Sequence, residues 1–286
     1  MTTILLIGSD STIGSHLKKQ LKTQGKTICG TTRHKDRCTE TIFFLDLLNP
    51  DAFTLPENIS IDTVIFCASM SIIKECEDNK ALSYQINVES TLKLARYLKN
   101  RFDPFIIFLS SNAVFDGSKP FFLETDTPCP INYYGHCKIE AEKKLAGITD
   151  KLAILRCTKV LYSDHPLIKK WIQDLQNGEK IYPFDDLMLA PISLEMVSTA
   201  IKKLSDLKKP GIFHLSGNND ITYVELARLI AKQIKCDDKL IISTCDTNKQ
   251  TGQSQIKNNT TLDMTNFKKI LGIFKHKRKS QIPWVL

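Results

Sequence analysis

The apolar residues of this chain come in short continuous runs, separated by polar stretches with helical spacing. ILLIG (4–8), KTICGTTR (26–33), TIFFLDL (41–47), DTVIFCAS (62–69) and PFIIFLSS (104–111) each predict a strand. Their β-branched, leucine and phenylalanine side chains follow one another without alternation, as in a sheet covered on both faces. Between these runs, STIGSHLKKQLKTQG and ALSYQINVESTLKLARYLKN place apolar residues three and four apart, which predicts helices with one buried face. A further helix is expected from about Tyr134 to Leu145, then a sixth strand at LAILRCTKVL and a late seventh at GIFHLSG (211–217). Strand and helix in alternation predict an α/β fold, a doubly wound parallel sheet of the Rossmann type. Ligands of such a sheet lie beyond the carboxyl ends of its strands.

After about residue 160 this rhythm breaks. WIQDLQNGEKIYPFDD reads as a helix, a glycine turn and a short strand. ISLEMVSTAIKKLSDL and TYVELARLIAKQI are amphipathic helices, the second capped by Asp220 or Thr222. CDTNKQTGQSQIKNNTT (245–261) reads as a polar loop, and the tail FKHKRKS as a solvated basic cluster. The division expected is residues 1–160 as the sheet domain, with elements returning to it at about 188–217. Residues 161–286 form mainly a smaller C-terminal part.

Composition narrows the classes. The net charge of +8 is moderate and is carried by scattered lysines, so no nucleic-acid partner is expected. No apolar stretch reaches the roughly 18 residues that cross a membrane. MTTILLIGSD runs straight into a strand and lacks the basic region and apolar core of a signal peptide. With nine cysteines, an odd number and no CxxC pair, the expectation is reduced thiols, a cytoplasmic location and no metal site.

Chemistry enters with G8-S-D-S-T-I-G14, directly after the first strand. Strand, glycine turn and helix form the context of a dinucleotide phosphate loop. Gly8 permits the tight turn, and Gly14 lets the helix pack close to the sheet. Ser11, Thr12 and Ile13 sit where the helix amino end meets a pyrophosphate. Ser11 stands where glycine is usual. The second strand ends in Thr31-Thr32-Arg33 with no acid for a ribose 2′-hydroxyl; Asp36 comes too late. A guanidinium suits a 2′-phosphate, so NADP(H) is favoured over NAD(H). Asp46 and Leu47, after the third strand, fall where adenine contacts are expected.

Tyr134 and Lys138 are four apart and share a helix face. A free phenol has a pKa near ~10. A neighbouring ammonium is expected to lower it, making an acid that protonates a ketone as hydride arrives. Ser110 and Ser111 end the fifth strand, where a hydroxyl would bond the same oxygen. Tyr133 and His136 face elsewhere on the helix, His136 by about 200°. Phe43, Phe44, His214, Trp171 and Trp284 read as packing residues. Cys137, beside Lys138, is expected to have its pKa lowered.

These residues, with Cys67-Ala68-Ser69, Asn87-Val88, S110-S-N-A-V-F-D-G117, Y134-G-H-C-K138, Glu142, Arg156 and D186-L-M-L-A-P191, follow a known order. The chain resembles the extended short-chain dehydrogenase/reductases, and within them the dTDP-4-dehydrorhamnose reductase branch, over nearly its whole length. The resemblance implies Tyr134 as proton donor, Lys138 as its partner and Ser111 as third member. It implies cofactor contacts at Cys67, Ala68, Ser69 and Asn87, and a substrate side at Asn112, Ala113, Asp186 and Pro191. The implied function is NADPH-dependent reduction of a nucleotide-linked 4-keto-6-deoxy sugar. A sugar-nucleotide epimerase or dehydratase, or a non-catalytic regulatory subunit, is the alternative. A homodimer is common in the superfamily. The chain departs from the branch at Ser11, at Asn112-Ala113 in place of Asp-Tyr, and after Asp186, where Gln and Gly are usual.

Overall fold

A computed structural model describes residues 3–22, 26–245 and 258–271. The chain builds β1 (Thr3–Ile7), α1 (Thr12–Lys22), β2 (Thr27–Thr32), β3 (Ile42–Phe44), β4 (Thr63–Phe66), α2 (Ile73–Asp78) and α3 (Lys80–Tyr84). A π-helical turn, Gln85–Ser90, leads into α4 (Thr91–Phe102), then β5 (Phe105–Ser111), α5 (Tyr133–Ala146) and β6 (Leu152–Cys157). The remainder forms β7 (Val160–Leu161), α6 (Pro166–Gln176), β8 (Met188–Leu189), β9 (Ile192–Ser193), α7 (Leu194–Leu207), β10 (Gly211–Leu215), β11 (Ile221–Thr222) and α8 (Tyr223–Ile234). A last described helix spans Thr265–Leu271.

The chain divides into two compact units. The first comprises Met1–Phe115, Thr127–Cys157 and Val197–Phe213. Its sheet runs β10-β6-β5-β4-β1-β2-β3, and the pairs from β6 to β3 are all parallel. The order reverses between β1 and β4, so the crevice outside their carboxyl ends is the switch point of a doubly wound fold. The continuous apolar runs are explained by burial on both faces. Leu5, Leu6, Val64, Ile65, Ile106 and Ile107 are wholly buried. Each contributes roughly 1.5–3 kcal/mol of burial free energy.

The second unit comprises Asp116–Asp126, Thr158–Met196 and the described residues from His214 onward. It holds the parallel pair β7–β9 and the antiparallel pair β8–β11. Its core gathers Leu161, Ile168, Leu189, Leu226 and Ile230, with Trp171 edge-on to Tyr223 at 6.4 Å. Thr222 opens α8 with a full capping box. Its hydroxyl accepts from Glu225 N at 3.0 Å, and its N–H donates to Glu225 Oε2 at 2.7 Å. Asp220 instead accepts from Thr260 N at 2.8 Å and from the Thr261 hydroxyl at 2.8 Å.

Several elements differ from the expectation. LAILRCTKVL is two strands, because Thr158 N donates to Leu215 O and the Lys159 carbonyl accepts from Ile192 N, so the ladder changes partner. The long helix before β5 is interrupted by the π turn. IYPFDD forms only isolated bridges, Ile181 to Ile241 and Phe184 to Thr244. Phe44 is not core: it lies at the end of edge strand β3, exposed, under the Lys35 ammonium at 5.1 Å. His214 is a buried histidine whose Nδ1 bonds Phe122 O at 3.1 Å. The FKHKRKS tail, Trp284 and most of the 245–261 loop lie outside the described residues.

Candidate active site

The glycine loop is built first. Gly8 has φ +86°, and a Cβ there would lie 2.6 Å from the Ala68 Cβ. Only glycine lets β1 turn so close to the segment after β4. A Cβ on Gly14 would strike Gly8 O at 2.3 Å, so this glycine packs α1 against the loop rather than against the sheet. The Ser11 hydroxyl accepts from Gly14 N at 3.1 Å and caps the helix. Thr12 is exposed and Ile13 half-buried at the same helix end. A cradle closed to any Cβ at Gly8, joined to a helix amino end, fits a dinucleotide pyrophosphate.

At the end of β2, Arg33 is exposed. The expectation that no acid stands there is corrected. The Asp10 carboxylate, from the glycine loop, accepts a hydrogen bond from the Thr32 hydroxyl. Asp46 accepts from Leu48 N at 2.9 Å in the turn after β3, and the Leu47 carbonyl accepts from the Ser90 hydroxyl.

Beyond β4, the N–H groups of Cys67 and Ala68 both reach Ile7 O at 2.9 Å. The next residues are held by Asn87, on the π turn. Its amide accepts from Met70 N and donates to Met70 O, both at 2.9 Å. This two-point clamp fixes the loop that carries Ser69.

The two serines of β5 part ways. Ser110 is buried and donates to Glu142, while Ser111 faces Tyr134. The Tyr134 phenol lies beside the Ser69 and Ser111 hydroxyls, which favour its ionised form, and Ser111 Oγ donates to Asn112 Oδ1 at 3.3 Å. Ser111 also accepts from Ala113 N at 3.1 Å, capping the short turn Asn112–Val114. Helix α5 starts at Asn132, whose side chain accepts from Gly135 N at 2.9 Å. That start places Tyr134 and Lys138 on the face toward β5. Both are buried, with Ala113 and Cys76 packed against Tyr134.

Lys138 donates to Leu109 O at 2.9 Å, and its ammonium lies 4.7 Å from the Phe108 ring centroid and 5.5 Å from that of Tyr134. Here a second expectation is corrected. Burial drives the Tyr134 phenol above its ordinary value, and the neighbouring Ser69 and Ser111 hydroxyls offset this only in part. Burial also brings Lys138 down to about 8, opposed by the Glu142 carboxylate. Cys137, expected low, is raised by burial. Cys67 and Cys157 are pushed up to about 12 by burial, so neutral thiols flank the ammonium at physiological pH. None of the nine cysteines forms a disulfide.

Beneath Lys138, Glu142 and Arg156 form a buried ion pair, with Arg156 Nη2 2.6 Å from Glu142 Oε2. Asp186 and Pro191 lie in the second unit, either side of β8, both half-buried. Lys170 in α6 is paired with Asp174 at 2.9 Å. Among the described residues, no group of three or more His, Cys, Asp or Glu is placed to hold a metal ion. No described helix is long and apolar enough to cross a membrane.

The geometry has relatives. The family model described as the RmlD substrate binding domain matches residues 1–286. A probable low-salt glycan biosynthesis reductase, Agl14, of Haloferax volcanii is 26% identical, over 83% of this chain and 82% of its own length. The methionine adenosyltransferase 2 subunit beta of Xenopus laevis is 25% identical, over 79% of this chain and 70% of its own. The crystal structure of a Bacillus anthracis dTDP-4-dehydrorhamnose reductase in complex with NADP superposes with a TM-score of 0.81 at 19% identity. It covers 94% of this chain and 92% of that one, a likeness of fold. With its parallel sheet, glycine loop and serine–tyrosine–lysine cluster, the chain belongs to the RmlD substrate binding domain family, the dTDP-4-dehydrorhamnose reductase-like branch of the extended short-chain dehydrogenase/reductases, which are NAD(P)-dependent oxidoreductases.

Proposed function

We propose that this chain reduces the 4-keto group of a nucleotide-linked 6-deoxy sugar, with NADPH as the favoured donor. One observation carries the reading: a buried phenol, beside two serine hydroxyls and a buried ammonium, at the carboxyl ends of β4 and β5. When bound, the dinucleotide supplies the hydride. Gly8, Ser11, Thr12, Ile13 and Gly14 would hold its pyrophosphate, Arg33 a 2′-phosphate, Asp46 and Leu47 its adenine side, and Cys67 to Ser69 with Asn87 the path toward the nicotinamide.

The chain's own residues manage the proton. Burial keeps Tyr134 protonated at neutral pH, the state a donor needs. Ser111 orients the ketone oxygen toward the phenol. As the proton leaves, the positive charge of Lys138 stabilises the phenolate that remains. In the first unit, Asn112 and Ala113 would contact the sugar nucleotide. An odd number of cysteines with no CxxC pair favours a reducing compartment, the cytoplasm.

The test is consumption of NADPH with dTDP-4-keto-6-deoxyglucose and its 3,5-epimerised form, with Tyr134→Phe alongside. The reading expects stoichiometric oxidation that vanishes in the variant while cofactor affinity stays nearly intact. Turnover unchanged by the substitution refutes the mechanism. Turnover of the sugar without net NADPH consumption points to an epimerase or dehydratase, although the Asn112 amide is a poor acid–base partner for one. A second reading, a non-catalytic regulatory subunit, is favoured by the similarity to methionine adenosyltransferase 2 subunit beta, by Ser11 and by the altered loop after Asp186. Tight NADPH binding with no reduction of any keto sugar supports it.

A further inference from the structure

The glycine loop is laced to the end of β2. Gly8 N donates to Thr31 Oγ1 at 2.8 Å, and Ser9 reaches Thr31 O with both its N–H and its hydroxyl at 3.0 Å. One residue on, the exposed Asp10 carboxylate accepts from the Thr32 hydroxyl, which itself accepts from His34 N at 3.1 Å. An acid 22 positions away in sequence is thereby fixed at the strand end, one residue from the exposed Arg33.

In doubly wound dinucleotide folds this strand end meets the adenosine ribose. An acid there accepts the 2′-hydroxyl, whereas an arginine pairs with a 2′-phosphate. This chain presents both. We infer that Asp10 is a specificity residue that accepts the ribose 2′-hydroxyl and repels a 2′-phosphate, so that it counterbalances Arg33 and keeps NADH in use beside NADPH. The inference rests on the dinucleotide reading above. Arg33 and Asp10 act on opposite sides of one choice. A guanidinium gains only when the phosphate is present, and a carboxylate gains only when it is absent.

The test is calorimetric binding of ADP-ribose and 2′-phospho-ADP-ribose to the full chain, ligands that carry no hydride chemistry. Asp10→Asn is expected to shift the affinity ratio about tenfold toward the 2′-phosphate, through loss of one repulsion and one charge-assisted acceptor. Asp10→Ser should shift it the same way, which separates charge from side-chain shape. Arg33→Ser should move the ratio in the opposite direction by weakening only the 2′-phosphate ligand. A ratio within twofold of the native value in both Asp10 variants overturns the inference and leaves the dinucleotide reading standing. Failure of either ligand to bind the native chain overturns the dinucleotide reading, and this inference with it.

Discussion

Lys138→Met should make the protein more stable while removing turnover. The native ammonium is only 4% exposed, and burial has brought its pKa from 10.5 to about 8. At about 1.4 kcal/mol per tenfold, keeping this lysine charged in the fold opposes folding by about 3 kcal/mol at pH 7. Methionine matches the length of the side chain and carries no charge. Losing the bond to Leu109 O gives back about 1 kcal/mol. The net gain at pH 7 is therefore about 2 kcal/mol. The pH dependence separates the two contributions. Between about 8 and 10.5 the unfolded chain holds the proton that the folded chain has released. Native stability therefore rises with pH in this window, and the advantage of the variant shrinks by about 2 kcal/mol between about pH 7 and 9.5. Urea unfolding of both proteins at the two pH values measures this directly. A variant less stable than the native protein at pH 7, or a stability difference that does not change with pH, would refute the reasoning.

Two further outcomes follow from the same site. Ser11→Gly frees the Gly14 N–H and removes the side chain from the phosphate loop; dinucleotide binding should tighten several-fold, as titration would read, while losing the cap lowers stability by a few tenths to about 1 kcal/mol. Weaker binding would mean that the serine assists the phosphates. Glu142→Gln removes the carboxylate charge that faces the buried Arg156 guanidinium at 2.6 Å and should lower unfolding free energy by about 3 kcal/mol, seen as an earlier urea midpoint; a loss under about 1 kcal/mol contradicts that account.

Much of this architecture was readable along the chain. Continuous apolar runs marked the strands because the sheet is covered on both sides, and a four-residue spacing put Tyr134 and Lys138 on one face of α5. Three things were hidden for physical reasons. Asp10 becomes a strand-end acid only through the hydrogen bond from Thr32, which no spacing rule relates to it. The proton affinities of Tyr134 and Cys137 went the other way from a charge-pair argument, because depth of burial is not written in a local motif and here outweighs neighbouring charge. LAILRCTKVL looked like one strand because its apolar run continues past the point where its hydrogen-bond partner changes. What Asp186 and Pro191 do is set by the second unit, where short strands and loops leave little periodicity to read.

The π turn at Gln85–Ser90 makes this part of the chain sensitive to residue count. Such a turn spends one residue more than an α-helix over the same rise. Deleting a single residue within it would restore regular winding. Because the wider turn covers about the same rotation and rise, α4 would keep Leu94 and Leu98 in the core. What would go is the widened segment itself, from which Asn87 holds both Met70 N and Met70 O. The extra residue lets the chain aim that clamp without re-aiming the helix that packs.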